Sequence, residues 1–355
     1  MNKLNSMIAI AFLAISFTAC KKDADEPVFV APPSDGSTLT LNGLIGAEAG
    51  SAAGNSVYVD FSADKQTSVE RDSWDLGFYS GADFKVILNS TNGASALVIN
   101  KTDLNAVTAA DFDPNALKVG QGQGSFTIVD DGREANILNK IAIAAISATD
   151  TENKVYIINR KGGAATVLPN DELYKIRIIR KGTTGYTLQY AKVTETTFKT
   201  LDVTKNVDAN FQFTSLVKGT VVSVEPAKAN WDIVWGYSMY WTATFPYAFS
   251  DMVFINNLAG VTAASVATTV KSYAAFSEAD IASVSFSSAR DVIGSKWRTS
   301  PNQQGVGGGV SSDFFYVIKD GSGNVYKLKF VSYISGDGGT RGKPVIEYKL
   351  VKKGS

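Results

Sequence analysis

The second half of this chain repeats the order of motifs in its first half. "SWDLGFYSG" begins at Ser73 and "NWDIVWGYS" begins at Asn230, which sets Trp74 against Trp231. "DFKVILNSTNG" from Asp83 resembles "DMVFINNLAG" from Asp251, and "NILNKI" from Asn136 is a fainter echo of "VIGSKW" from Val292. "NKVYIINRKGG" aligns with "DFFYVIKDGSG", pairing Tyr156 with Tyr316. "ELYKIRIIRKGTTGYTLQYAKV" aligns with "NVYKLKFVSYISGDGGTRGKPVIEYKLV", pairing Tyr174 with Tyr326 and Tyr190 with Tyr348. One short match would mean little, but ordered recurrence indicates duplication. The spacing is far longer than that of a solenoid repeat. Two homologous domains follow, residues 38–200 and 201–355, with loop insertions accounting for the drift in spacing.

Within each copy the pattern is that of strands. "YKIRII" and "YKLKF" alternate polar and apolar residues, as a strand with one wet face does. On that reading their Lys and Arg residues are a solvated face and not a binding patch. "VIKDGSGNVYKLKF" sets Asp320-Gly321 and Gly323-Asn324 between two such strands, a hairpin signal. "EANILNKIAIAAISA" reads as a helix, with Ile137, Leu138, Ile141 and Ala145 on one side. Ser277, followed three residues later by Asp280, opens a short helix. The fold class is mostly β with a few short helices.

Composition removes several functions. The chain has no histidine, which excludes a His-based triad and the commonest transition-metal ligand. Net charge is zero and no Lys/Arg cluster occurs, so no nucleic-acid partner is expected. "GQGQG" and "GVGGG" lack the Lys-Ser/Thr of a phosphate loop and read as loops. Asp75 and Asp232 each follow a repeated Trp, and they read as ligands of backbone groups rather than a catalytic acid and base. No nucleophile-base pair is visible, so the chain reads as a non-enzyme.

The N-terminus carries an address. "MNKLNSMIAIAFLAISFTAC" has a basic start, an apolar run and small residues before Cys20, the single cysteine. This is a secretory signal over residues 1–19, too short for a transmembrane helix. A small residue directly before Cys resembles the lipobox of bacterial lipoproteins, with Phe17 where Leu is usual. Cys20 is then the lipidated first residue of the mature chain, anchoring it in the outer membrane. Residues 20–37 read as a flexible tether. Its charged start resembles the surface-export signals of Bacteroidetes lipoproteins, which favours the cell surface over the periplasmic face.

Taken together, the Trp-Asp strands ("SWDLGF", "NWDIVW"), the "SKW" element, the "YVIKDGSGNVYKLKF" hairpin and the closing "IEYKLV" resemble the HmuY family of Bacteroidetes lipoproteins. The resemblance covers most of the mature chain in two copies and implies two β-rich HmuY-like domains. It implies a non-catalytic role in binding haem and passing it to an outer-membrane haem receptor. It also exposes a departure, because the family's histidine ligands are missing. Haem iron would then be held by Met239 or Met252, the two methionines left after the signal. Tyr79 is an alternative, since it stands where the family often carries His and phenolate can ligate haem iron.

"NWDIVWGYSMYWTATFPYAFSDMVFINN" is the aromatic centre of the chain. Read as a strand, Trp231, Ile233, Trp235, Tyr237, Met239 and Trp241 share one face. That face is either packed core, packing between domains, or one wall of a site for haem or another flat apolar ligand. The binding reading assigns contacts to Trp235, Tyr237 and Trp241 beside the two methionines. A structural or accessory interaction lipoprotein without a small-molecule ligand is the alternative.

Overall fold

The computed structural model describes residues 31–302 and 306–354. The signal peptide, Cys20 and the tether up to residue 30 lie outside the described residues. The strands run in chain order as β1 (Gly36–Thr40), β2 (Asn55–Asp60), β3 (Lys65–Glu70), β4 (Leu76–Tyr79), β5 (Val86–Leu88), β6 (Ser95–Ile99), β7 (Val155–Asn159), β8 (Tyr174–Lys181), β9 (Gly185–Lys192) and β10 (Lys199–Thr204). They continue as β11 (Phe211–Ser215), β12 (Thr220–Val222), β13 (Ile233–Thr242), β14 (Phe245–Ile255), β15 (Thr262–Ala267), β16 (Arg298–Thr299), β17 (Gly309–Val310), β18 (Phe314–Lys319), β19 (Val325–Ser332) and β20 (Val345–Lys352). The fold is mostly β, and the helical pieces among the described residues are short 3-10 turns. The expected tether overlaps β1, where Gly36 and Ser37 already pair with Lys349 and Tyr348.

Four antiparallel sheets carry the structure. Two five-stranded sheets have the orders β1-β20-β19-β18-β15 and β10-β9-β8-β7-β6, and two four-stranded sheets have the orders β14-β13-β2-β3 and β12-β11-β4-β5. The orders correspond strand for strand, with one exchange. β1, β2 and β3 complete the sheets built by β13 to β20, while β10, β11 and β12 complete those built by β4 to β9. Pairing therefore crosses the expected 200/201 boundary in both directions, and residue 200 itself lies inside β10. The chain from Pro33 onward is one compact unit.

Each half closes a core between a four-stranded and a five-stranded sheet. In the nested half Leu76, Phe78, Val86 and Leu88 meet Ile158, Ile176, Ile178 and Leu188. In the enclosing half Val57, Val59, Ile233 and Trp235 meet Tyr316, Ile318, Leu328 and Ile346. Trp297 of the "SKW" element stacks on Phe330 at 4.1 Å in that second core.

Three sequence expectations need correction. The "YKIRII" and "YKLKF" strands have no wet face at their first lysine. Lys175 is fully buried and donates to the Val107 carbonyl at 2.8 Å, and Lys327 donates to the Tyr273 carbonyl at 2.7 Å. Loops fold over the outer face of each five-stranded sheet, packing Leu104, Val107 and Leu117 on one and Phe276 on the other. Alternation shows which residues share a face, but it cannot show what later covers that face.

The "EANILNKIAIAAISA" helix is also absent. Only Ile137–Asn139 forms a 3-10 turn. The backbone N–H groups that a helix would use internally bond elsewhere: Ala142 to the Asp130 carboxylate, Ala144 to the Tyr156 hydroxyl and Ile146 to the Phe84 carbonyl. Repeated β-branched Ile residues suit that extended path. The third correction concerns the faces of β13 and is described with the site below. The Asp320–Asn324 turn and the Ser277–Asp280 capping box form as expected.

Candidate functional site

The two Trp-Asp motifs enter equivalent strands and are held in the same way. Asp75 accepts the Leu216 N–H at 2.7 Å, and Asp232 accepts the Phe61 N–H at 2.8 Å. Asn89 donates to the Trp74 carbonyl at 2.7 Å, and Asn256 donates to the Trp231 carbonyl at 3.0 Å. Both aspartates thus hold backbone, as their repetition implied. Their surroundings differ. Asp75 also accepts from Arg160 at 2.8 Å, whereas the place of Arg160 in the other half is taken by Asp320. Burial pushes the Asp232 carboxyl up to about 8, and the Asp320 and Asp60 charges add to the shift.

These anchors turn Trp74 and Trp231 away from the cores. Trp231 meets Tyr58 edge-on at 5.1 Å, and Trp74 meets Phe213 edge-on at 4.8 Å. Trp231 therefore does not share a face with Trp235, because the strand begins only at Ile233 and the period-2 rule starts there. The core-averted faces of the two four-stranded sheets, with Tyr58, Val234 and Phe254 on one and Ile87, Phe211 and Phe213 on the other, line a partly open cavity of about 130 Å³.

Polar groups that sequence reasoning missed line the same cavity. Burial pushes the Glu225 carboxyl up to about 8 and the Asp130 carboxyl to about 7. Asp130 accepts from the Leu88 N–H at 2.7 Å, while one Glu225 oxygen has no partner. The Arg290 guanidinium lies 4.0 Å over the Phe254 ring. None of these residues sits in a recognisable motif. Glu225, alone in "VVSVEPAK", is the only one with a local signal, a lone acid following an apolar run.

The β13–β14 hairpin accounts for the aromatic surplus. A bulge falls in β14 opposite Tyr237, since Gly236 pairs with Met252 and Ser238 with Phe249, which leaves Ser250 and Asp251 against Tyr237 alone. Within it, Asp251 takes a left-handed φ of 58° and accepts Arg341 at 3.0 Å. The bulge bends the hairpin, so the residues expected on one face from Ile233 to Trp241 meet different surroundings along its length. Before it, Ile233 and Trp235 point into the enclosing half's core. Beyond it, the hairpin runs onto the nested half. Met239 packs on Val119, Ile128 and Val129, Ser238 bonds Ser90 at 3.3 Å, and Arg71 lies 4.5 Å over the Tyr237 ring.

The remaining candidates divide by exposure. Met239 is 3% exposed and Met252 is 0% exposed. Trp235 is buried, while Tyr237 and Tyr79 are half-buried. Tyr79 packs on Phe211 at 5.7 Å in the nested half, apart from the hairpin. Trp241 at 37% and Tyr247 at 39% are the large rings that the hairpin leaves open. They flank a run of rings, with Tyr240 5.8 Å from Trp241 and Phe249 5.4 Å from Tyr247. No group of three acidic or thiol side chains suited to a metal occurs among the described residues. Nor does any described helix have the length and apolarity to cross a membrane.

A family model described as HmuY protein matches residues 52–348, from just before β2 into β20. The chain belongs to the HmuY family. The match runs through both halves and across the exchange of strands. No curated protein and no solved structure gives a significant match.

Proposed function

We propose that this chain is a non-catalytic binding protein of HmuY type, displayed on the outer membrane by a lipid on Cys20. It takes haem or another flat apolar ligand against the open rings of the hairpin. Membership of the HmuY family supports haem binding at the level of the family. The observation that carries the placement is the exposure of Trp241 and Tyr247 on a hairpin whose other rings are half-buried or buried. The central cavity is a poorer host for a porphyrin, because ligand pockets for drug-sized molecules run to roughly 300–1,000 Å³. Aromatic rings stack on flat π-systems with an offset or edge contact, which suits an open rim. Met239 and Met252 are buried, so ligation of haem iron by either thioether needs local opening, which for Met239 means lifting the hairpin from Val119 and Ile128.

Haemin titration of the purified protein tests this. A Soret shift is expected in the wild type, retained when Met239 and Met252 are both replaced by Leu, and lost in Trp241→Ala with Tyr247→Ala. Loss of the shift in the methionine pair alone would assign ligation to a thioether and an opened hairpin. No shift in oxidised or reduced protein would sink the haem reading.

The accessory reading has one observation in its favour: Met239 and Tyr237 of the hairpin pack on the nested half and join the two halves. On that reading the lipoprotein acts beside an outer-membrane receptor and takes no small molecule.

A further inference from the structure

The cavity between the two four-stranded sheets is lined by seven aromatic side chains among aliphatic and polar ones, and two of the lining residues carry a buried polar atom with no partner. Trp231 is 7% exposed, and its Nε1 is buried without an acceptor. Glu225 Oε2 is buried without a donor, with the Asn210 side chain beside the same carboxyl. Both residues line the cavity. An indole N–H can only donate, and a buried unpaired donor costs the free energy of its lost water. A hydroxyl group, like a water, has the means to satisfy both atoms, since it accepts from the indole and exchanges a hydrogen bond with the carboxyl.

Size selects what the hydroxyl is carried on. The volume, about 130 Å³, is close to that of an apolar cavity of roughly 150 Å³ known to take benzene. Tyr58, Trp74, Phe213 and Phe254 supply ring edges and faces around it, the arrangement that aromatic guests prefer. We propose that this cavity is a second binding site, for a small monocyclic phenol whose hydroxyl meets Trp231 Nε1 and Glu225 Oε2 and whose ring lies among the aromatic side chains. The site is built jointly by β2 and β13 of the enclosing half and by β5 and β11 of the nested half. It stands apart from the open rings of the hairpin and does not depend on haem binding there.

Calorimetric titration of the purified protein with phenol, and with benzene as the ring lacking a hydroxyl, decides it. Phenol is expected to bind more tightly than benzene. In Trp231→Phe, which keeps a ring and removes the N–H, phenol affinity should fall about five- to tenfold, while benzene affinity holds. Val234→Phe, which fills the cavity from β13, should abolish both. Trp241→Ala should leave phenol binding intact, so failure at the hairpin and failure here are told apart. Absence of phenol binding, with the cavity holding water only, overturns the proposal. So does equal affinity for phenol and benzene, or phenol binding that is unchanged in either Trp231→Phe or Val234→Phe.

Discussion

The Asp232 carboxylate accepts the backbone N–H of Phe61 at 2.8 Å, tying together residues 171 positions apart. Asp75 makes the same bond to Leu216, so each Trp-Asp strand is locked to a strand from the other half of the sequence. The bond marks where the chain exchanges β1–β3 for β10–β12. It also decides which piece of the chain can stand alone.

Residues 71–229 hold every strand of the two sheets of the nested half, and its core residues run from Leu76 to Leu216. A fragment of residues 71–229 is expected to fold, with a cooperative thermal transition and β-type circular dichroism. A fragment of residues 38–200 should not, because it keeps the β2–β3 pair without β13, cuts β1 and β10, and loses β11 and β12. A cooperative melt from the 38–200 fragment and none from 71–229 would refute the exchange.

Gly43 sits against the indole of Trp235. A Cβ added there would lie 2.2 Å from the ring and 2.4 Å from the Gly342 carbonyl. Neither neighbour is a flexible side-chain end, so the strand ends must move apart. Gly43→Ala should destabilise the protein by about 1–3 kcal/mol, read as a lowered midpoint in urea at unchanged slope.

Met239 is the plug between hairpin and nested half, and Met239→Ala should cost about 2–5 kcal/mol of stability. The conservative Met239→Leu keeps the volume and should cost less than about 1.5 kcal/mol. Equal stabilities of the two variants would show that the hairpin is not packed on Val119 and Ile128.

Burial raises the Glu225 and Asp232 carboxyls to about 8 and Asp130 to about 7. Between their ordinary values near 4 and these raised values, the folded state holds more protons than the unfolded chain, so stability falls as pH rises. Burial works against the Asp131 carboxyl too, but Arg133 and Lys140 hold it down to about 2, so its contribution is lost in more acidic solution. Maximal stability is therefore expected near pH 4–5, declining towards pH 8. Glu225→Gln should flatten that decline in a series of urea melts. A wild-type stability that climbs from pH 5 to pH 8 would contradict the burial of these groups.

Cys20 should carry the lipid that holds the chain at the membrane. Labelled palmitate is expected in the wild-type protein and absent from Cys20→Ala, which should be released in soluble form. Label retained by the variant would place the anchor elsewhere.

The sequence by itself determined the strand content, the Asp320–Asn324 turn, the Ser277 capping box and the pairing of Trp74 with Trp231. All of these rest on local periodicity, turn chemistry or repetition, which short stretches carry. It also marked "GYSMYWTATFPYAFSDM" as an aromatic stretch with no counterpart after "SWDLGFYSG". The tertiary structure decided which half each strand completes, because hydrogen-bond partners more than a hundred residues apart leave no local trace. The buried Lys175 is hidden for a like reason, since the covering loop at Val107 that makes it dry lies 68 residues away. A one-residue bulge in β14, opposite Tyr237, bends the hairpin, so Trp235 meets a core, Met239 the other half and Trp241 solvent, although period-2 alternation puts all three on one face. The cavity with Glu225 and Trp231 belongs wholly to the tertiary level, since the close approach of two sheets creates it.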